Sequence, residues 1–167
     1  MPVNGRQKGS AFERQVANMI VTTFLDKGIT QKDCYRSPLS GGHVFASKES
    51  PSDLVISPKL FRYFPYPVEC KCYKAIKFEA LLDPACKGSM FPQWWRQIRK
   101  AVKNSKEPRP KPCLVFKQNR GDIFVMSRMS DLPGNWGSGL ASITTVVAGN
   151  HVCVVRFDKF LEATRIG

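Results

Sequence analysis

The 167-residue chain is short of acid, of histidine and of paired cysteines. Thirteen aspartates and glutamates face 26 lysines and arginines, for a net charge of +13. An excess of that size says little about fold but favours a polyanionic partner, most often nucleic acid. Only His43 and His151 could join the six cysteines, and no C-x-x-C spacing occurs. That argues against a zinc site and leaves the cysteines as small, reduced, buried hydrophobes. No apolar run approaches the roughly 20 residues of a membrane span, and the polar start lacks the apolar core of a signal peptide. A cytoplasmic protein with no membrane partner is expected. No internal repeat or low-complexity tract appears, and the length suits one domain over residues 1–167.

What is present is a helix, strands, a helix and further strands. Residues 1–8 are polar and basic and read as a flexible basic arm. Ser10 is a plausible N-cap with Glu13 three residues on, a capping box, and Phe12, Val16, Ile20 and Phe24 follow at helical spacing up to Gly28. Cys34, Tyr35, Arg36 and Ser37 form a strand candidate stopped by Pro38, and residues 52–57 form a second. Residues 58–67, rich in proline and aromatics, suggest a tight hairpin into a third strand at 66–74. A helix following Ser89 has the apolar face Phe91, Trp94, Trp95, Ile98, Ala101 and Val102, with Arg96, Gln97, Arg99, Lys100 and Lys103 around it. Strands are expected at 113–117 and 122–127, at 143–147 and 152–156, then a closing helix at 157–164. The fold class is α/β, a central mixed β-sheet flanked by α-helices.

The chemistry gathers on Val68, Glu69, Cys70, Lys71, Cys72 and Tyr73. Along a strand Glu69 and Lys71 project to one side, roughly 6.6 Å apart, and Val68, Cys70 and Cys72 to the other. In isolation Glu69 and Lys71 make either a surface ion pair or part of a metal and phosphate site. If strand 52–57 lies beside strand 66–74, Asp53 and Glu69 converge. Two carboxylates with an intervening carbonyl make a hard oxygen site suited to Mg²⁺ or Mn²⁺. Such an ion lowers the pKa of water and offsets charge in phosphodiester cleavage. Lys71 can orient the attacking water, and Glu13 can reach in from the first helix. Arg6, Lys8, Arg14 and Arg36 are the cations nearest in sequence, suited to phosphate contacts without sequence specificity. Trp94 and Trp95 follow the apolar spacing of their helix and read as core or dimer contact. Gln97 reads as solvated, and His43 and His151 as non-ligands.

Asp53 followed by Glu69-Cys70-Lys71 resembles the D…(D/E)-x-K signature of the PD-(D/E)XK nuclease superfamily. Residues 7–14, Gln-Lys-Gly-Ser-Ala-Phe-Glu-Arg, resemble the opening helix of archaeal-type Holliday junction resolvases. Residues 35–42, Tyr-Arg-Ser-Pro-Leu-Ser-Gly-Gly, are similar to their R-x-P-x-S-G segment. The likeness covers residues 6–73 and only coarsely the second half. It implies a restriction-endonuclease-like fold and a homodimeric, Mg²⁺-dependent endodeoxyribonuclease that cuts four-way DNA junctions. Asp53, Glu69 and the Cys70 carbonyl would hold the metal, Lys71 would assist the water, Glu13 would complete the site, and Ser40 would lie near the DNA backbone. The loop at 41–51 and the insertion at 75–90 have no counterpart. The alternatives are another PD-(D/E)XK DNA endonuclease, of restriction or recombination type, and a non-catalytic DNA-binding protein on the same fold.

Overall fold

The computed structural model describes residues 5–38, 52–83, 86, 88–134 and 141–166. Helix α1 (Gly5–Thr23) starts five residues ahead of the expected cap. Residues 5–8 are therefore helical and not a flexible arm, and Ser10 lies inside the helix. Its hydroxyl donates to the Gln7 carbonyl at 3.1 Å, a turn back along the helix. The apolar stripe of Phe12, Val16, Ile20 and Phe24 is buried as the spacing requires. A short 3-10 turn (Leu25–Lys27) follows and closes on Gly28, whose φ of 70° is left-handed.

Strands β1 (Cys34–Arg36) and β2 (Leu54–Ile56) form a small antiparallel sheet of their own, with Cys34 opposite Ile56 and Arg36 opposite Leu54. The hairpin expected between residues 52–57 and 66–74 is not there: β2 pairs with β1, and Val68–Tyr73 belongs to the other sheet. The intervening residues form helix α2 (Pro58–Phe61) instead. Ser57 caps it, accepting from the Leu60 N–H, and Pro58 occupies the first turn, where a missing N–H costs nothing. That serine–proline pair was the signal for a helix start. The Ser57 hydroxyl also donates to Asp33 Oδ1 at 2.7 Å, tying α2 to the turn before β1.

The main sheet runs β3-β4-β5-β7-β6, from β3 (Val68–Tyr73), β4 (Cys113–Gln118), β5 (Phe124–Arg128), β6 (Ser142–Val147) and β7 (Asn150–Arg156). β3 and β4 are parallel, joined by a crossover that contains α3 (Phe91–Asn104), and the other pairs are antiparallel. The sheet is thus mixed and flanked by helices, as expected. Side-chain alternation sends Val68, Cys70, Cys113 and Val115 into a core under α1 and α4 (Phe157–Ile166). The intervening Leu114 and Phe116 enter a second core under α3, with Trp94, Trp95 and Ile98. Trp94 and Trp95 are core residues. Five of the six cysteines are buried and none is disulfide-bonded.

Candidate active site

Asp53 stands one residue before β2, and its backbone does what a paired strand would have done. Its N–H donates to the Val68 carbonyl at 3.0 Å, and its own carbonyl accepts from the Ser37 N–H at 2.8 Å. The side chain completes the junction. Asp53 Oδ2 accepts from the Cys70 N–H at 2.8 Å. One residue thereby spans the outer edge of β3, from Val68 to Cys70. The N–H and C=O of a strand residue leave on the same side, so the Cys70 carbonyl faces the edge that Asp53 occupies. Asp53 and Glu69 therefore come together without a hairpin between β2 and β3. Ser37, which fixes the Asp53 carbonyl through its backbone, is a buried contributor that no sequence motif marked.

Glu69 is 3 % exposed, and among the described residues only Ser37 and Ser127 are polar side chains buried like it. Lys71 Nζ donates to its Oε1 at 2.7 Å. The ion pair read as a surface alternative is real, and it is sunk into the protein rather than solvated. From α1, Glu13 accepts from Arg36 Nε at 2.5 Å through Oε2, so the helix is tied to β1 beside the two other acids. Burial above all, reinforced by the neighbouring Glu69 charge, pushes the Asp53 carboxyl up to about 7, against the pull of the Cys70 N–H. Burial likewise raises Glu69, with Lys71 pulling it back and Glu13 pushing it further up. Three acids thus crowd a low-dielectric site in which each added negative charge is resisted by the others.

The site cations differ in where they stand. Arg36 is brought to the acids as the partner of Glu13. Lys8 and Arg14 are exposed on α1, and Arg14 lines a groove of about 830 Å³ between α1 and α4 rather than the edge of β3. For Arg6 only the backbone is described, and Ser40, His43 and the loop at 41–51 lie outside the described residues. Gln97 is exposed on α3, and His151 is exposed on β7.

Among the described residues no group of three or more His, Cys, Asp or Glu side chains is arranged to hold a metal ion as it stands. Glu13 is turned to Arg36 and Glu69 to Lys71. The donor set nevertheless suits a divalent cation. Asp53 and Glu69 are hard oxygen donors that repel each other when both are ionised, and the Cys70 carbonyl faces the same edge. A cation there favours the ionised form of both acids.

A family model described as "Phage putative PDDEXK endonuclease" matches residues 4–165. The chain belongs to this family of PD-(D/E)XK endonucleases. No curated protein and no solved structure matches the chain. The match supports the superfamily expected from Asp53, Glu69 and Lys71, and it is broader than the archaeal-type resolvases that residues 7–14 and 35–42 resemble. As a PD-(D/E)XK endonuclease the chain is a nuclease with a DNA substrate, from a superfamily that generally uses divalent metals. No helix among the described residues is long and apolar enough to cross a membrane.

Proposed function

We propose that this PD-(D/E)XK endonuclease is a Mg²⁺-dependent endodeoxyribonuclease that resolves four-way DNA junctions as a homodimer. The observation that carries the nuclease site is the Asp53 clamp. It brings a carboxylate of raised pKa to the edge of β3 beside Glu69, Lys71 and the Cys70 carbonyl. Asp53, Glu69 and the Cys70 carbonyl would hold the ion, with Mn²⁺ as a substitute, and Glu13 would complete the site. When bound, the ion supplies a water of lowered pKa and offsets charge on the scissile phosphodiester. Lys71 holds the attacking water through its ammonium, which Glu69 keeps in place at 2.7 Å. Arg36, whose guanidinium stands beside Glu13, receives a phosphate oxygen. Arg6, Lys8, Arg14 and Ser40 add backbone contacts that read shape rather than sequence. Junction selectivity rests on the likeness of residues 7–14 and 35–42 to the resolvases. A two-fold dimer presents two such sites to two strands, as paired incision requires.

The test uses a labelled four-way junction and a matched linear duplex, each with Mg²⁺ and with chelator. Wild type is expected to cut the junction far faster than the duplex, and Asp53→Asn to abolish cutting while junction binding persists. Equal cutting of both substrates would leave an endonuclease of another specificity within the superfamily. Binding without cutting, under every metal condition, would leave a DNA-binding protein on a nuclease fold. Wild-type cutting by Asp53→Asn would overturn the proposed metal site.

A further inference from the structure

The outer face of α3 carries Arg96, Arg99, Lys100 and Lys103, and the helix contains no acid at all. All four are exposed. Among the described residues, none of them makes an ion pair. They stand three and four positions apart, the spacing at which like charges repel across a helix turn and weaken it. The opposite side of the molecule is treated differently. On and beside α4, Lys159 pairs with Glu162, Arg156 with Asp158, and Arg165 with Asp26. A face kept only for solubility gains from mixed signs, as α4 has. A face of one sign, held against its own repulsion, suits a polyanion.

The shape agrees. Arg96, Arg99, Lys100 and Lys103 form one wall of a groove of about 420 Å³, with Pro112 and Arg128 on its other side. No acid lines it. Its place in the sheet can be counted. Glu69 lies opposite Leu114, and Leu114 opposite Met126. Leu114 and Met126 both enter the core under α3, and Arg128, two residues further along β5, projects to that same face. Two strand spacings separate β3 from β5, roughly 10 Å sideways, and Arg128 lies two residues, roughly 7 Å, further along. The separation within the sheet is then roughly 12 Å, well under the roughly 34 Å of one helical turn of DNA, so a single duplex can reach both the Glu69 end of β3 and this groove.

We propose that the α3 groove binds the phosphodiester backbone of the DNA substrate away from the scissile phosphate, as a second contact surface separate from the cations of α1 and β1. The proposal takes its ligand from the endonuclease reading and does not depend on junction selectivity. It is tested by fluorescence anisotropy with a labelled duplex and a labelled junction in EDTA over a series of salt concentrations. The variant Arg99→Gln/Lys103→Gln is compared with Lys32→Gln/Arg62→Gln, which removes the same charge from exposed positions outside the groove. Each lost phosphate contact flattens the slope of log K against log salt by about 0.9. The groove variant is expected to lose about 1.8 from that slope, so that a fourfold rise in salt costs it roughly 12-fold less affinity than wild type. The control variant is expected to keep the wild-type slope. Both should melt at or above the wild-type temperature, since exposed like charges have been removed. Equal slopes for the two variants overturn the groove while leaving the nuclease untouched. Wild type that binds no DNA overturns both the groove and the nuclease reading. Wild type that binds with the predicted slopes yet never cuts with Mg²⁺ overturns only the nuclease.

Discussion

Asp53 is held by its backbone and by its side chain at once, and its charge is the expensive part of the arrangement. Its carboxyl keeps its proton in the folded protein to about pH 7, against an ordinary value of 3.8. Between those two values the folded state binds more protons than the unfolded one. Stability without metal therefore falls as pH rises through that window, by on the order of a few kcal/mol, and the full penalty is present above pH 7. Asp53→Asn keeps an oxygen for the Cys70 N–H and removes the charge. Denaturant unfolding in EDTA at pH 5.5 and pH 8 is expected to show a clear loss for wild type and a much smaller one for the variant. Equal losses would place the titrating charge elsewhere. Mg²⁺ should restore wild type at pH 8 and leave the variant unchanged, because a cation stabilises the ionised acids that the fold otherwise resists.

At the scale of elements, residues whose signal is a spacing were legible in the sequence. The α3 stripe of Phe91, Trp94, Trp95 and Ile98, the strands at 113–118 and 124–128, and the Glu69/Lys71 side of β3 appear where the pattern puts them. Pairing was not legible, because nothing local says which edge a short strand will meet. β2 has three residues and joins β1, while among the described residues around it Asp53 makes the bridge to β3. The start of α1 differs from the expected cap at Ser10 for a related reason. Ser10 and Glu13 have capping-box spacing, but the helix continues upstream through Gly5, and cap geometry depends on backbone that the residue types do not report. The difference is measurable. A true N-cap serine changed to alanine costs about 1 kcal/mol. Ser10, with its hydroxyl bonded back to Gln7, should tolerate alanine with no loss, or gain a few tenths of a kcal/mol from the better helix former. Thermal melting of Ser10→Ala decides it, and a loss near 1 kcal/mol would restore the cap.

At the scale of the whole molecule, β4 joins the two cores. Cys113 and Val115 belong to the one beneath α1 and α4, and Leu114 and Phe116 to the other. A strand shared in this way ties both halves into one cooperative unit. In a Trp136→Phe background, fluorescence of Trp94 and Trp95, which reports the α3 side, should therefore give the same denaturant midpoint and slope as far-ultraviolet dichroism, which reports the whole chain. Separate transitions would overturn the expectation of one domain. The net charge of +13 also has a shape. Ion pairs quiet it around α4 and leave it bare on α3, so long-range attraction of a polyanion is directional and falls with salt. The edge of β3 has a last consequence, for the chain's company rather than its chemistry. β3 ends the main sheet, and an uncovered edge strand is a template on which a neighbouring molecule can add a strand of its own. Asp53 occupies the Val68 carbonyl and the Cys70 N–H, which are the groups such a strand would need first. The residue proposed to serve cleavage also stands where a neighbour's strand would add to this edge, and leaves any pairing of copies to other surfaces.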